Sequence, residues 1–366
     1  MQNGKENLGV DKIPVMVTGV GGGGHGEQIL KALRMAETPY FIVGGDMNEY
    51  SMGLAHVDVP YILPPANAPT YIDAILSVCR RHGVRALFHG SEPELKAMSA
   101  ARDRIAAAGI FLPINPRPVI DLCMDKLKLI NWLGARGFDV PKTVYVETEA
   151  DLGKVDFCPA VLKPTLGGGG SANVLLAQDE QELLFLGRSL LGNIGPYIAQ
   201  EYMGTVESEY TVGVMSDMDG RLINSIAVRR MIMSGLSNRI KVRNRTGKAE
   251  LGAFLAISSG VSQGDVGRFP EVTGPCEAIS QALEATGAIN VQCRFVNGRV
   301  YVFEINPRFS GTTSLRAMMG YNEPDCLIRK HVLGEEPVVR FPYRCGRIVR
   351  GLSEIVISGG EIAHAE

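Results

Sequence analysis

The chain has 366 residues, of which 45% are hydrophobic and 21% charged, and its formal net charge is −2. At roughly 100 to 200 residues per domain, this length predicts two or three domains, and the near-neutral charge argues against a general nucleic-acid-binding protein. Residues 1–12 lack the apolar core of a signal peptide, and no segment approaches the roughly 18 apolar residues of a membrane span, so we expect a cytoplasmic protein. Seven scattered cysteines without a CxxC pair predict reduced thiols and no structural zinc site.

The N-terminal third predicts a doubly wound α/β domain. A buried strand at 13–19 leads into a glycine-rich turn at 20–26 and then into helical spacing of apolar residues. Strands at 41–43 and 86–88 follow, with a helix at 71–82 between them. This alternation predicts a parallel sheet that is covered by helices on both faces.

The glycine-rich turn has two interpretations. Gly19, Gly21 and Gly24 satisfy GxGxxG, and Asp46 follows the second strand at about the offset of a ribose-binding acid. Alone, this pattern indicates a dinucleotide-binding site and therefore an enzyme of the oxidoreductase class. Glycine-rich first turns also occur in doubly wound domains that bind no dinucleotide, and both interpretations stay open.

A proline-rich joint at 112–118 marks the first domain boundary. We predict domains at 1–117, 118–196 and 197–366. Beyond the joint, one helix is expected near Val119 to Arg136, and short strands with interspersed helices then predict an α+β region.

A second glycine cluster lies between two predicted strands, in Val161-Leu-Lys-Pro-Thr-Leu-Gly-Gly-Gly-Gly-Ser171. It lacks a terminal GK[ST] and is therefore not a Walker A loop. Free glycine amides beside Lys163 favour a mobile flap that closes over a phosphate, with Gly168, Gly169, Gly170 and Ser171 as binding residues. A merely flexible hairpin tip is the alternative.

The hairpin of strands 289–295 and 300–305 alternates polar and apolar residues. A two-residue Asn-Gly turn would set polar residues opposite apolar ones. We therefore predict a three-residue loop, Val296 to Gly298, which places Glu304 opposite Asn290 and Tyr301 and Phe303 on the apolar face.

The polar face of this hairpin would gather Gln292, Glu304 and Asn306. One carboxylate and two amides suit magnesium that carries nucleotide phosphates, and Arg308 would then meet negative charge on a transferred phosphoryl group. A solvated polar face is the alternative.

Three segments together are similar to the ATP-grasp superfamily: VLKPTLGGGG, IAQEYMGTVESEYTVGV and NVQCRFVNGRVYVFEINPRFSGTTSL. The chain resembles most closely one synthetase module of the carbamoyl-phosphate synthetase large subunit and the smaller ligases related to it, up to about Gly334. The resemblance implies a Rossmann-like pre-ATP-grasp domain, followed by a two-lobed ATP-grasp fold.

The resemblance also implies roles for single residues. Lys126 and Lys163 would reach the nucleotide phosphates, and Glu201, Tyr202 and Met203 would form the hinge whose backbone binds adenine. Glu209 resembles the ribose-binding acid, with Glu207 as a rival. The magnesium or manganese ligands would be Gln292, Glu304 and Asn306, and the catalytic cations Arg308 and Lys163.

Residues 229–248 carry seven basic residues and no acid. An RNA-binding stripe is one interpretation, although no aromatic residue interleaves the run, and a solvated basic face is another. The resemblance implies that Arg239 and Lys241 hold the γ-phosphate or an acyl phosphate, with Arg239 as a catalytic residue. We expect no nucleic-acid partner.

The implied activity is that of an ADP-forming carboxylate–amine ligase with an acyl-phosphate intermediate. Its partners would be a small-molecule carboxylate and an amine, and a homodimer is expected from the relatives. Residues 311–313 after Phe309 could line the acceptor site. The alternatives are phosphorylation of bicarbonate or carbamate, and a nucleotide-binding regulatory protein without catalysis.

Overall fold

The computed structural model describes residues 12–166, 173–354 and 363–365. They form two compact units, the first comprising 12–112, 324–335 and 363–365, and the second 113–323 and 336–354. The division between Leu112 and Pro113 falls in the predicted proline-rich joint. Residues 196 and 197 both lie within the second unit.

The first unit is built on parallel strands. Its N-terminal part contains β1 (Ile13–Thr18), α1 (His25–Arg34), β2 (Tyr40–Asp46), β3 (Val59–Ile62), α2 (Tyr71–His82), β4 (Ala86–Phe88), α3 (Glu92–Ala100) and α4 (Arg102–Ala107). β1 pairs in parallel with β2 and β4, and β3 pairs in parallel with β2. Apolar residues of these strands, such as Met16, Val43 and Leu87, pack against Tyr71 and Ile75 of α2. The predicted parallel sheet is confirmed.

The glycine-rich turn after β1 is explained by local packing. Gly19 has a φ of +57°, and a Cβ there would lie 2.7 Å from Glu94 Oε2. Both oxygens of Asp46 accept backbone hydrogen bonds, from Gly21 N at 2.9 Å and from Asn48 N at 3.0 Å. The carboxylate that the dinucleotide interpretation requires is therefore engaged by the turn itself.

The second unit contains antiparallel sheets and their covering helices. Its elements are α5 (Arg117–Cys123), α6 (Lys126–Ala135), β5 (Thr143–Val146), β6 (Ala160–Pro164), β7 (Leu175–Ala177), α7 (Glu180–Ile194), β8 (Tyr197–Glu201), β9 (Glu209–Ser216), β10 (Leu222–Arg230), β11 (Asn238–Arg243), β12 (Phe254–Ser258), β13 (Gly264–Gly267), α8 (Pro270–Ala282), β14 (Ala288–Val296), β15 (Arg299–Asn306), α9 (Thr313–Met318) and β16 (Gly346–Ile348). The remaining elements are α10 (Glu323–Leu333), which belongs to the first unit apart from Glu323, and β17 (Ala363–His364).

In the described residues, the second unit contains three sheets and the first contains one. The strand order is β5-β8-β6-β7 in a four-stranded sheet, β15-β14-β9-β10-β13-β16 in a six-stranded sheet, and β11-β12 in a two-stranded sheet. The sheet of the first unit has the order β17-β3-β2-β1-β4. Separate apolar cores lie under the four-stranded and the six-stranded sheets. In the part of the chain that the structure describes, no helix combines the length and the apolar character needed to cross a bilayer.

The single helix predicted from Val119 to Arg136 is wrong, because the chain breaks it into α5 and α6. The break is at Asp125, whose side chain accepts a hydrogen bond from Lys128 N at 3.0 Å and so caps α6. Asp and Asn compete with the helix interior in this way and favour its first position. The break places Lys126 at the start of a helix.

The predicted register of the β14–β15 hairpin is also wrong. Asn297 and Gly298 form a two-residue turn, both with positive φ (51° and 77°), and Val296 pairs with Arg299. A bulge at Phe303 then shifts the register, so that Gln292 lies opposite Glu304. Past the bulge, polar residues of β14 lie opposite polar residues of β15. The hairpin therefore has both the two-residue turn and the polar face.

Candidate active site

The polar face of the β14–β15 hairpin gathers the three predicted metal ligands. Glu304 Oε1 accepts hydrogen bonds from Gln292 Nε2 at 3.3 Å and from Asn306 Nδ2 at 3.1 Å. Among the described residues, no group of three or more His, Cys, Asp and Glu side chains could hold a metal ion. One carboxylate and two amides that converge in this way fit a hard cation that keeps part of its coordination shell for phosphate and water.

The bulge also changes which aromatic residues face this site. Val302 and Ile305 are buried in the core of the six-stranded sheet, whereas Tyr301 and Phe303 share the cavity side of the strand with Glu304. The prediction that Tyr301 and Phe303 belong to the core face is therefore wrong. The bulge places two aromatic rings and the carboxylate on the same side.

Lys163 connects β6 to the bulged strand. Its Nζ donates a hydrogen bond to Phe303 O at 3.1 Å, and the residue is only 5% exposed. The pKa of the Lys163 ammonium is lowered to about 7, mainly because the group is buried; the Glu304 carboxylate opposes this shift and the nearby charge of Lys126 adds to it. An anionic ligand would restore the charged form of this lysine.

Lys126 is held beside the end of β6. It is the first residue of α6, its backbone N–H donates to Thr165 O at 3.0 Å, and its side chain is buried. Both predicted phosphate-binding lysines therefore lie where the chain enters the glycine cluster. Gly168, Gly169, Gly170 and Ser171 of the predicted flap lie outside the described residues.

A cavity of about 630 Å³, here termed the nucleotide cavity, opens between β6, β8, β12 and the hairpin. Its apolar walls come from Pro141, Val161, Val174, Ile257, Tyr301 and Phe303. Lys163, Gln292 and Glu304 line its polar end. Flat apolar walls that lead to a charged end suit a ligand with an aromatic base and an anionic tail.

The predicted hinge, Glu201 to Met203, lines the nucleotide cavity. Arg294, which also lines this cavity, supports the hinge: its guanidinium lies 4.1 Å from the Tyr202 ring centroid and donates to Met203 O at 2.7 Å. The same side chain also donates to Ala256 O at 3.2 Å. Arg294 therefore ties the hinge to β12, a role that no motif in the sequence indicates.

Glu209 lies in a buried cluster with two arginines. Its side chain is 3% exposed, with Oε1 lying 3.1 Å from Arg230 Nη1 and Oε2 3.2 Å from Arg294 Nη2. Burial raises the pKa of Glu209, but the two guanidinium charges outweigh it and hold that pKa below its ordinary value. Glu207 is instead exposed, on the short 3₁₀ helix Val206–Ser208.

A second cavity, of about 550 Å³, is here termed the hydrophilic cavity. Its hydroxyl groups come from Thr211, Ser259, Ser262, Ser310 and Thr312. Its other lining residues are two glycines, three amides and the charged residues Arg230, Glu304 and Arg308. Gln292 and Glu304 line both cavities, so the candidate metal ligands lie at their junction.

Two arginines fix the loop that follows β15. Arg308 Nη2 donates to Asn306 Oδ1 at 2.9 Å, and its Nη1 donates to Phe309 O at 3.0 Å. Arg350 Nη2 donates to Gly311 O at 2.7 Å, although the resemblance to the superfamily was expected to end near Gly334. Of the predicted acceptor residues 311–313, Gly311 and Thr312 line the hydrophilic cavity.

The basic segment 229–248 contributes to the site through a residue that was not singled out. Arg239 and Lys241 alternate with Ile240 and Val242 along β11, on its exposed face, and line neither cavity. Arg230, at the end of β10, is the member of the segment that lines the hydrophilic cavity. No local signal in the sequence separates Arg230 from the other basic residues of the segment, because its burial depends on the pairing of β10 with the strands on either side.

Comparisons with known proteins agree with this geometry. Residues 17–113 match the family model described as PylC-like, N-terminal domain, and residues 258–352 match the model described as ATP-grasp in the biosynthetic pathway with Ter operon. The chain has an ATP-grasp fold. The expected architecture, a doubly wound N-terminal domain followed by ATP-grasp sheets, is confirmed, and the ATP-grasp match contains the hairpin face and Arg308.

Solved structures show the same ATP-grasp fold. N5-carboxyaminoimidazole synthetase from Staphylococcus aureus matches with a TM-score of 0.61 and 15% identity over 92% of this chain and 82% of that one. L-amino acid ligase from Bacillus licheniformis gives 0.59 and 15%, over 88% and 74%. The biotin carboxylase domain of the Hydrogenobacter thermophilus 2-oxoglutarate carboxylase gives 0.59 and 16%, over 90% and 72%. A search of curated protein sequences gives no match.

Proposed function

We propose that the protein is an ATP-dependent carboxylate–amine ligase that forms an amide through an acyl phosphate and releases ADP and phosphate. The observation that carries this proposal is the junction of the two cavities. Gln292 and Glu304 line both the cavity suited to a nucleotide and the hydrophilic cavity. A γ-phosphate at this junction would lie within reach of a carboxylate bound on the other side.

The nucleotide would bind with its base against the hinge and its phosphates toward the two lysines. Lys126 and Lys163 supply positive charge, and Glu304, Gln292 and Asn306 would hold magnesium or manganese that enters with the nucleotide. The similar carboxylase domain from Hydrogenobacter thermophilus was solved in complex with MgADP and bicarbonate. Glu209 lines the nucleotide cavity, but an arginine lies against each of its carboxylate oxygens, so we assign the ribose hydroxyls to the exposed Glu207, which lies two residues before it.

The reaction would follow from this arrangement. A carboxylate oxygen of the acid attacks the γ-phosphorus, the bond to the β-phosphate oxygen breaks, and ADP leaves. The amine nitrogen then attacks the acyl carbon, phosphate leaves and the nitrogen loses a proton. Arg308 and Lys163 offset the charge that moves with the phosphoryl group, and a divalent cation held by Gln292, Glu304 and Asn306 would supply further positive charge beside the phosphate oxygens.

The chain's own contribution is therefore orientation and charge neutralisation, since an acyl phosphate is already an activated electrophile. The buried ammonium of Lys163 and the fixed guanidinium of Arg308 are positioned before the ligand arrives, which reduces reorganisation during the reaction. Water must be excluded while the intermediate exists, because it would compete with the amine.

The test is ADP release from MgATP across a matrix of acids, each with and without amines, including bicarbonate with ammonia. Release that requires both an organic acid and an amine supports the ligase. Release with bicarbonate alone would favour phosphorylation of bicarbonate or carbamate, as in carbamoyl-phosphate synthetase. MgATP binding without ADP release in any combination would contradict the proposal and favour a regulatory protein.

A further inference from the structure

The lining of the hydrophilic cavity differs in kind from that of the nucleotide cavity. Within the described ranges, none of its lining residues has an apolar side chain, whereas eight apolar or aromatic residues line the nucleotide cavity. A CH₂ group placed against a polar lining displaces water without replacing its hydrogen bonds. The lining therefore disfavours alkyl and aryl groups and favours a ligand that is polar along its length.

Buried positive charge lines this cavity at Arg230. The Glu209 carboxylate that faces Arg230 is shared with Arg294, and both Glu209 and Arg294 line the nucleotide cavity. Glu304 is the carboxylate of the hydrophilic lining that also acts on Arg230. Arg230 is 4% exposed, and its Nε makes no hydrogen bond within the described residues. Since a buried charge without full compensation is costly, an anionic ligand beside Arg230 would offset part of that cost. Arg308 adds a second cation to the same lining.

The cavity is also narrow where its two loops approach each other. A Cβ placed on Gly311 would lie 3.0 Å from Gly260 O, so the backbones of the serine-containing loop 259–262 and of the loop 310–312 lie close together. Part of the space at the other end is shared with the nucleotide cavity through Gln292 and Glu304. A ligand that fits between the two loops and leaves the shared space to the nucleotide would be short.

We propose that the hydrophilic cavity binds a short carboxylic acid whose carbon chain carries hydroxyl, amino or carboxylate groups, and that Arg230 is the residue that favours anionic and polar acids there. This inference rests on the proposed ligase function. The hydroxyl groups of Ser262 and Thr312 contribute to the discrimination, because a site built from hydrogen-bonding groups rejects analogues that lack their partners.

The experiment compares acids with hydroxylamine as a general small nucleophile, so that the natural amine need not be known. Glycerate, malate and serine are compared with butyrate, isovalerate and benzoate, and hydroxamate and ADP are both measured with MgATP. We expect at least one of the polar acids to react with a kcat/KM at least tenfold above that of every apolar acid.

Variants test whether the cavity lining is responsible. Thr312→Val and Ser262→Ala each remove a hydroxyl group with little change of shape, and each should lower the polar-to-apolar ratio of kcat/KM at least threefold. Thr70→Val is the matched control, since Thr70 is exposed and its side chain makes no cap hydrogen bond. The ratio is measured within one enzyme preparation, so a loss of folded protein does not change it.

The possible results separate the inference from the function on which it rests. Equal or faster turnover of an apolar acid, or a ratio unchanged in both cavity variants, would overturn the inference while leaving the ligase intact. Absence of ADP and hydroxamate with every acid, while MgATP still binds, would overturn the ligase function and the inference with it.

Discussion

Replacing Glu209 with glutamine should destabilise the protein more than it affects nucleotide recognition. The substitution keeps the size of the side chain but removes the charge that faces Arg230 Nη1 at 3.1 Å and Arg294 Nη2 at 3.2 Å. Two buried guanidinium groups would then lack a carboxylate. Breaking a buried ion pair from one side costs about 3–5 kcal/mol.

This cost corresponds to a large change in melting temperature. In a domain of roughly 150–250 residues, 1 kcal/mol shifts Tm by about 2–4 °C, so Glu209→Gln should lower Tm by roughly 6–20 °C. Glu207→Gln is the matched control for stability, because Glu207 is exposed and surface substitutions usually change stability by less than about 0.5 kcal/mol. Thermal unfolding of the nucleotide-free proteins measures both.

The same pair of variants tests the ribose assignment. If Glu207 binds the ribose hydroxyls, Glu207→Gln should weaken the binding of a non-hydrolysable MgATP analogue about tenfold, equivalent to about 1.4 kcal/mol. Calorimetric titration gives this value. An unchanged Tm in Glu209→Gln together with lost nucleotide affinity would refute the reasoning, because Glu209 would then contact the nucleotide instead of supporting the arginines.

Three further predictions concern the metal site, a buried lysine and a glycine. Glu304→Gln should reduce turnover at least about 100-fold with an unchanged Tm, measured by ADP release, and a fully active variant would exclude Glu304 as a metal ligand. Lys163 has a pKa of about 7, mainly because it is buried, and a bound triphosphate would raise that pKa. At about pH 8 the lysine is mostly neutral before binding, so MgATP binding should take up nearly one proton per protein. At about pH 6 the lysine is already mostly protonated, so the uptake should be much smaller. Calorimetry in buffers of different ionisation enthalpy measures this uptake, which Lys163→Met should abolish; undiminished uptake in that variant would contradict the assignment. A Cβ on Gly213 would lie 2.3 Å from Nη1 of the buried Arg316, so Gly213→Ala should lower the free energy of unfolding by about 1–3 kcal/mol, measured with denaturant. Gly153→Ala is the control and should not show this loss, because a Cβ there meets nothing within 4 Å.

The sequence pattern predicted the polar hairpin face but not the backbone that creates it. With a two-residue Asn-Gly turn and regular strands, polar residues of one strand lie opposite apolar residues of the other. A three-residue loop removes this mismatch and was therefore predicted. The chain instead keeps the favourable left-handed Asn297–Gly298 turn and inserts one extra residue at Phe303. Bulges depend on what the strand meets in three dimensions, and here the carbonyl of Phe303 meets Lys163.

The basic segment shows a second limit of pattern analysis. A run of arginines and lysines carries no information about burial until the strand is paired, and Arg239 and Lys241 prove to lie on the outer side of β11. Arg230 differs because β10 is a central strand and Glu209 on the neighbouring strand supplies a partner. Long-range pairing of this kind is not encoded in local spacing.

Local sequence patterns are sufficient to predict the parts of the fold that depend on neighbouring residues alone. The parallel sheet followed from the alternation of strands and helices along the chain. Asp46 shows where a local signal misleads. It stands at the position of the ribose-binding acid in a dinucleotide motif, but its carboxylate accepts hydrogen bonds from the backbone amides of Gly21 and Asn48. Short polar side chains near glycines form such turns often, and this makes them weak indicators of ligands.

The most direct measurement follows oxygen from the acid to the phosphate. The reactive acid is prepared with ¹⁸O in its carboxylate, and the released phosphate is analysed after ligation with an amine. An acyl-phosphate intermediate predicts that one ¹⁸O atom passes into inorganic phosphate, with ADP as the other product. Phosphate without ¹⁸O, or ¹⁸O recovered in AMP, would contradict the proposed chemistry.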